Sequence, residues 1–250
     1  MLKAVNEISP WLVFGLASLT TVATALGAMP FLFIHSMSQR FLGWANAAAG
    51  GMMIAASFVL IFEGIDYSIY RTILGIVLGV GFVLLSERFL SRYQNARFPS
   101  MEGFDARAAL LFVGIMFAHS ISEGIGTGVS FGSGFQLGLF ITLTMVIHNA
   151  LEGLAISLVL IPRGASAWAA AGWCIVSSIP QPIVAVPAFL GVSVAQEILP
   201  VGLGFAAGAM IWMSFYEIIP EALEQTSHES VATVVTLATA FMVLFQMLLR

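Results

Sequence analysis

The chain has 250 residues, of which 59% are hydrophobic and 9% are charged, and its formal net charge is −4. Soluble domains carry about 25% charged residues, so this deficit excludes an ordinary soluble protein and predicts a single polytopic membrane domain, residues 1–250. Only nine residues are Lys or Arg, with no basic cluster outside one loop, which argues against nucleic-acid binding. The lone Cys174 excludes an internal disulfide and a CxxC metal motif.

Eight apolar segments are long enough to cross the hydrocarbon core of a membrane as helices, which takes about 20 residues. The predicted fold class is therefore an all-α integral membrane protein with eight transmembrane helices. The first segment is expected to be a retained helix, because no short apolar region with a clear cleavage site stands out. The predicted spans are residues 11–34, 44–64, 71–90, 108–131, 135–161, 166–190, 198–221 and 230–249.

Only one connection between the predicted spans is long, residues 91–107. Lys and Arg are unequally divided between the two sides of the membrane, and the positive-inside rule places the richer side in the cytoplasm. The long loop is therefore predicted to be cytoplasmic, and both termini are predicted to be extracytoplasmic. The richer side holds Arg40, Arg88, Arg92, Arg97, Arg107 and Arg163, and the other side holds Lys3, Arg71 and Arg250.

The sixth predicted span contains three prolines, Pro180, Pro182 and Pro187. Each proline removes a backbone donor, so this helix is predicted to be broken or kinked, with freed carbonyls that need partners. Gln181 lies between the first two prolines. Its amide either coordinates or orients an ion weakly, or bonds to the freed carbonyls, and the sequence leaves both alternatives open.

The fourth and fifth predicted spans each contain a histidine, a glutamate four residues later and then a glycine. The pairs are His119 with Glu123 and, 29 residues further on, His148 with Glu152. Residues four apart share one helix face, and consecutive spans with a short connection are usually neighbours. Imidazole and carboxylate groups together favour zinc or a neighbouring first-row ion. One motif alone is equally explained by a buried His–Glu hydrogen bond, but its repetition makes a four-ligand metal site the favoured hypothesis.

Further polar residues in the spans have two interpretations each. Ser120 and Asn149 directly follow the motif histidines, and they form either a second, weaker polar subsite or hydrogen bonds between helices. Glu217 and Glu221 are either steps on the route of a departing ion or carboxylates at the membrane interface. Glu63, near the outer end of the second span, is either a ligand for an incoming ion or an interface charge.

Three residues carry weaker signals for metal binding. Met53 lies in the second span, where methionine more often packs than binds a metal. His35 and His228 are predicted to lie in cytoplasmic loops. There they either capture released metal or are simply solvated.

These motifs resemble those of the ZIP (Zrt-, Irt-like protein) family of divalent-metal transporters. The resemblance covers nearly the whole chain and is carried by eight spans, a long loop after the third span and the paired motifs on the fourth and fifth. Residues 50–57 and 204–210 also resemble the second and seventh helices of the family. Residues 177–182 resemble the family branch that contains a plant-plastid-type candidate zinc transporter.

The resemblance implies a primary metal site made by the two His–Glu pairs, with Met53 nearby, and an adjacent second site at Ser120, Asn149 and Gln181. The chain departs from the family pattern because serine and glutamine stand where many bacterial relatives have asparagine and glutamate. The loss of charge and donor strength argues against a binuclear centre. Ser122 and Leu151 also replace the prolines of the motifs, so weaker kinks are expected there.

The resemblance further implies a homodimer that works by alternating access, with the metal-carrying helices sliding against a scaffold. The expected function is the import of Zn²⁺, or of another divalent ion such as Fe²⁺, Mn²⁺, Co²⁺ or Cd²⁺, and not an enzymatic activity. The expected location is the cell (inner) membrane of a bacterium or an organellar membrane of a eukaryote. The alternatives are an intramembrane zinc-dependent hydrolase, although no HExxH signature is present, and a metal-binding membrane protein that does not transport.

Acid is expected to inhibit uptake. Both motif histidines must be neutral to bind a metal, so protons compete with the ion for the same nitrogens. Zinc uptake should therefore fall as the external pH drops through the range in which imidazole becomes protonated. The measurement is the initial rate of zinc uptake at a series of external pH values, and a flux that does not change with pH would contradict histidine ligation.

Overall fold

The computed structural model describes residues 8–33, 38–92, 106–161 and 164–249. Short 3₁₀ segments at Met29–Leu32 and Gln196–Ile198 and a π-helical turn at Ser214–Ile218 interrupt the α-helices. In these ranges the chain forms ten α-helices and no strand: α1 Pro10–Leu26, α2 Gln39–Tyr67, α3 Ile69–Arg92, α4 Ala106–Ser133, α5 Phe135–Leu160, α6 Ala167–Ser178, α7 Pro180–Val194, α8 Leu199–Met213, α9 Ile219–Gln225 and α10 His228–Leu249.

Serine side chains fix the beginning of three of these helices. Ser9 accepts a hydrogen bond from the backbone N–H of Trp11 at the start of α1, and Ser38 accepts one from Phe41 at the start of α2. Ser166 does the same at the start of α6. A serine hydroxyl satisfies one of the free N–H groups that every helix N-terminus exposes, so these residues set where the helices begin.

The two helices that carry the His–Glu motifs are joined by one residue. Helix α4 ends at Ser133 and α5 begins at Phe135. Gly134 between them has φ 144°, a conformation that residues with a Cβ rarely adopt. The chain therefore reverses direction within a single residue, and the two motif helices become adjacent neighbours.

Seven helical segments of the described chain are long and apolar enough to cross a membrane. Helix α4 is 28 residues long but is not among them. It carries polar residues within an apolar sequence, among them His119, Ser120, Ser122 and Glu123. The all-helical membrane architecture is thus present, whereas the eighth span and the side of the termini stay predictions. The seven segments are Pro10–Leu32, Gln39–Tyr67, Ile69–Phe89, Phe135–Leu158, Ala167–Val194, Gln196–Gln225 and His228–Leu248.

The predicted break in the sixth span is confirmed. Helix α6 ends at Ser178 and α7 begins at Pro180, while Pro187 lies inside α7. A second irregularity was not predicted: the backbone N–H of Ile219 bonds to the carbonyl of Ser214, which is the five-residue spacing of a π-turn. This turn directly precedes Pro220, which has no N–H to continue a regular ladder.

Some predicted boundaries were wrong. The prediction of a loop position for His228 fails because this residue is the first of α10, so only two residues separate α9 from α10. The predicted loop 91–107 loses residues at both ends to α3 and α4, and residues 93–105 lie outside the described chain, as does His35. The first predicted span, by contrast, is present as α1 followed by the 3₁₀ segment Met29–Leu32.

Close glycine contacts divide the helices into two groups. The first group, called the frame group, consists of α2, α3 and α8 to α10. Within it, a Cβ added to Gly79 of α3 would lie 2.1 Å from the carbonyl oxygen of Phe205 in α8. The second group, called the motif group, consists of α1 and α4 to α7. Within it, a Cβ added to Gly128 of α4 would lie 2.0 Å from the carbonyl oxygen of Ala185 in α7. Helix backbones therefore touch within each group, as small residues allow in membranes.

The two groups meet through side chains instead. Gly126 of the motif group faces the Cβ of Ala206, and Gly202 of the frame group faces the side chain of Val129. Among the glycines that the structure describes, those with backbone within 3 Å of an added Cβ find it inside their own group. Apolar side chains from both groups form the main core between them, among them Met53, Leu60, Ile141, Met145, Leu203 and Met210.

Two glycines of α3 offer a matched test of this packing. Gly79→Ala forces a methyl group against the backbone of α8, so the free energy of unfolding should fall by about 1–3 kcal/mol. Gly81→Ala, two residues away, meets nothing within 4 Å and should be neutral or slightly stabilising, because alanine favours a helix. The measurement is the unfolding temperature of the purified protein in detergent, and equal temperatures for the two variants would contradict the packing argument.

Candidate metal centre

Three of the four motif side chains converge between α4 and α5. Glu123, His148 and Glu152 each present a ligand atom, and the three atoms lie within 4.8 Å of one another. All three residues are buried. A first-row divalent ion binds imidazole and carboxylate groups at about 2.0–2.2 Å, so one ion between these atoms needs only small side-chain adjustments.

The glycine of each motif brings a neighbouring helix close to the cluster. A Cβ on Gly124 would lie 2.7 Å from the carbonyl oxygen of Gln181 in α7, and one on Gly153 would lie 1.8 Å from that of Thr24 in α1. Each glycine follows its glutamate directly. The motif thus places a ligand on one residue and permits backbone contact at the next, which holds the ligand-bearing turn against α7 or α1.

Several ligand atoms of the cluster are buried without a hydrogen-bond partner in the described chain. They are Nδ1 of His148 and both carboxylate oxygens of Glu152. Nε2 of His148 lies 3.3 Å from Oε1 of Glu123, whose other oxygen accepts a hydrogen bond from the amide of Gln181. Buried polar atoms are normally paired because an unpaired one is costly. A bound cation would satisfy these atoms, and the donor set fits zinc.

His119 lies beside this cluster and not within it. Its side chain is 7% exposed, and its Nε2 is 3.5 Å from Oε2 of Glu217 on the π-turn. Neither ring nitrogen has a hydrogen-bond partner among the described residues. The structure thus groups three of the four predicted ligands and turns the fourth toward the seventh predicted span.

One cavity of about 280 Å³ connects His119 and Glu217 to the cluster. It extends toward the end of the bundle where α2 begins and α9 ends, because its wall also includes Asn46 and Glu221. Among the described residues that line it, four are carboxylates, two are imidazoles and none is Lys or Arg. This wall attracts cations. The lining residues are Asn46, Ala49, Met116, His119, Glu123, His148, Glu152, Ala155, Glu217, Ile218 and Glu221.

Asn46 was not predicted as a site residue. Its amide donates to Gln225 at 3.1 Å, and Gln225 donates to Glu221 at 3.2 Å, so a chain of hydrogen bonds crosses the far end of the cavity. An asparagine in an apolar span is itself a signal in the sequence, since amides are rare there. The sequence does not show how the helices pair, and this pairing places Asn46 in the wall of the cavity.

The remaining predicted residues occupy varied positions. Ser120 is fully buried, and its hydroxyl has no hydrogen-bond partner in the described chain, whereas Asn149 donates to Gln181 at 2.9 Å. Met53 is buried in the apolar core and is not among the described residues that line the cavity. Glu63 lies at the opposite end of α2 from Asn46 and accepts a hydrogen bond from Ser133.

A helical membrane protein whose buried, anionic cavity is lined by imidazole and carboxylate groups has the features of a divalent-cation transporter. A family model described as ZIP Zinc transporter matches residues 90–247. The chain is 33% identical over 82% of its length to the zinc transporter GufA of Myxococcus xanthus, and 32% identical over 89% of its length to the zinc transporter ZIPB of Bordetella bronchiseptica. It spans 85% and 76% of these two proteins. The chain belongs to the ZIP zinc transporter family.

A plant protein shows a higher identity over part of its length. The chain is 43% identical, over 88% of its own residues, to a candidate zinc transporter of Arabidopsis thaliana, and it spans 36% of that protein. The family match confirms the resemblance inferred from the paired motifs. The chain is thus an integral, multi-pass membrane protein of a zinc transporter family, and the hydrolase alternative is not favoured.

The geometry ranks the two motif histidines for metal binding. His148→Ala removes a member of the three-residue cluster, so zinc affinity should fall by more than about 100-fold. Loss of a residue that only supports a metal ligand typically costs about 10- to 100-fold. His119→Ala removes a group beside the cluster and should cost about tenfold. The measurement is zinc binding to the purified protein in detergent, with the exposed Glu229→Ala as a control. A larger loss for His119→Ala would contradict the ranking.

Proposed function

We propose that this chain imports Zn²⁺ toward the cytoplasm by binding it at Glu123, His148 and Glu152, with His119 beside them. The observation that carries the proposal is the set of buried ligand atoms without hydrogen-bond partners in the described cluster. Ionisable groups at membrane depth are costly and by default mark a site or a pathway. Two carboxylates in the cluster match the charge of a divalent ion and lower the cost of burying it.

Zinc is the cargo that the donor set favours. Imidazole together with carboxylate suits Zn²⁺, whereas calcium and magnesium prefer shells made of oxygen alone. The names of the relatives from Myxococcus and Bordetella also specify zinc. Fe²⁺, Mn²⁺, Co²⁺ and Cd²⁺ are secondary candidates because they accept similar ligands. The ion is transported and is not retained as a cofactor.

The proposed topology has eight transmembrane helices in one domain, residues 1–250, with α4 as the additional span and both termini outside. Helix α4 has 28 residues, which exceeds the roughly 20 that a span requires. With this topology, the cavity extends from the cluster toward the cytoplasmic side. Glu217 and Glu221 line it in that direction and are proposed to receive the ion as it leaves.

The opposite side of the bundle carries a polar contact between the two helix groups. Ser133, at the end of α4, donates a hydrogen bond to Glu63 of α2, and its Oγ is 3.1 Å from the hydroxyl of Tyr67. We propose that this contact helps to close the outer side. For an ion to enter there, Glu63 and Ser133 must separate, and Glu63 would then be free to meet the ion.

Alternating access is proposed to occur by movement of the motif group against the frame group. Backbone contacts at glycines lie within each group, and side chains separate the two. Sliding along an apolar side-chain interface costs less than separating interlocked backbones, so this interface is where relative movement is easiest. The motif group holds the metal ligands, the frame group holds Glu217, and assembly as a homodimer is proposed for the whole protein.

The test is zinc flux into liposomes that contain the purified protein. The wild type should transport zinc across the sealed bilayer, whereas His148→Ala and Glu152→Ala should lose at least about 100-fold of the flux, because each removes a ligand of a dehydrated ion. Both variants should still insert and remain monodisperse. Glu229→Ala, a carboxylate variant at an exposed position, should match the wild type. Retained flux in both cluster variants would reject the proposed site.

A further inference from the structure

Gln181 joins four helices through its side-chain amide. It lies at the start of α7, and its side chain is 2% exposed. Its amide oxygen accepts hydrogen bonds from Nδ2 of Asn149 in α5 and from Oγ1 of Thr20 in α1. Its amide nitrogen donates to Oε2 of Glu123 in α4. These contacts use both ends of the amide within the motif group.

The contacts fix the orientation of the amide. The ionised carboxylate of Glu123 can only accept, so it selects the NH₂ end of Gln181, and the oxygen end then faces the amide of Asn149 and the hydroxyl of Thr20. The oxygen end therefore faces Asn149 and Thr20, and the NH₂ group that faces Glu123 cannot bind a cation. The side chain is therefore not arranged as a metal ligand, which was one of the two roles that its position between prolines had suggested.

We propose that Gln181 is a positioning residue that holds Oε2 of Glu123, so that Oε1 alone is presented to the transported ion beside His148. This inference rests on the proposed function, because it concerns the same site. The geometry that supports it is that the two oxygens of the Glu123 carboxylate have different partners. Oε2 accepts a hydrogen bond from the amide of Gln181, while Oε1 lies 3.3 Å from Nε2 of His148. A charge-assisted hydrogen bond of this kind is stronger and shorter than a neutral one.

A second consequence concerns the number of ions. With Oε2 of Glu123 held by an amide, the residues that the family resemblance implies for a second site, Ser120, Asn149 and Gln181, are all neutral. Two divalent ions side by side would repel each other strongly in a medium of low dielectric constant. The neutral residues of the second site offer no charge to offset that repulsion. We therefore expect one ion per chain.

The variant that tests the positioning role is Gln181→Met, which keeps the length and burial of the side chain and removes the amide. Zinc affinity in detergent should fall about tenfold, as expected for loss of a hydrogen bond to a charged group. In liposomes the KM for zinc should rise by a similar factor, while the maximal flux stays within about twofold. Wild-type protein should bind one zinc ion per chain, and two ions would overturn the single-ion conclusion.

Ser178→Ala is the matched control. Ser178 donates a buried hydrogen bond to Thr24 at 2.9 Å, so it also links the sixth predicted span to α1 but does not touch Glu123. Its loss should lower the unfolding temperature and leave the zinc affinity unchanged. If Gln181→Met lowered only the unfolding temperature as well, Gln181 would be purely structural and the proposal would fail.

A milder variant and the direct binding assay keep the test decisive. Thr20→Val leaves Asn149 to orient the amide, so zinc affinity should fall by about two- to threefold, less than in Gln181→Met. If Gln181→Met does not fold, an unchanged affinity in Thr20→Val overturns the proposal. Absence of flux in the wild type would reject the transport function, whereas zinc binding in detergent would still decide the role of Gln181.

Discussion

Burial of imidazole and carboxylate groups inside an apolar bundle is the constraint on which this structure depends. A polar atom in such a place costs free energy unless it finds a partner, and His148 and Glu152 keep atoms without one. Among the described residues, these unpaired atoms are the observation from which we propose a cation site.

The packing of the helices supplies the precision that such a site requires. Gly124 and Gly153 let α4 and α5 lie against the backbones of α7 and α1. Gln181 then connects these helices through one amide. The ligands thus sit in the group of helices with the closest backbone contacts, while the acidic exit residue Glu217 belongs to the other group. In the proposed mechanism, relative movement of the two groups would change which residues the ion meets next without disturbing the cluster Glu123, His148 and Glu152.

Local signals predicted the larger part of the fold. Apolar length located seven of the eight predicted spans, and Pro180 located the break in the sixth, because both effects act on the backbone near the residue itself. The π-turn before Pro220 was missed, since one proline is compatible with a kink, a break or a wider turn. His228 was misplaced because polarity was taken for a loop, although a polar residue also suits the first turn of a helix.

The site was predictable to the extent that residue spacing defines a helix face. The repeated His–Glu pairs predicted a convergence, and Glu123, His148 and Glu152 do approach one another. The orientation of His119 toward Glu217, the presence of Asn46 in the cavity and the partners of Gln181 depend on how helices distant in sequence are rotated against each other. A single sequence contains no direct signal for that rotation, so these features emerged only from the three-dimensional structure.

The single-residue joint at Gly134 has a consequence for how this protein tolerates change. Most loops accept insertions, because the chain on either side is anchored independently. Here one added residue would have to be absorbed inside α5, where it would advance the helix by about 1.5 Å and turn it by about 100°. His148 and Glu152 would then face away from Glu123. This one-residue connection is therefore a place where a change in chain length would move the residues of the cluster.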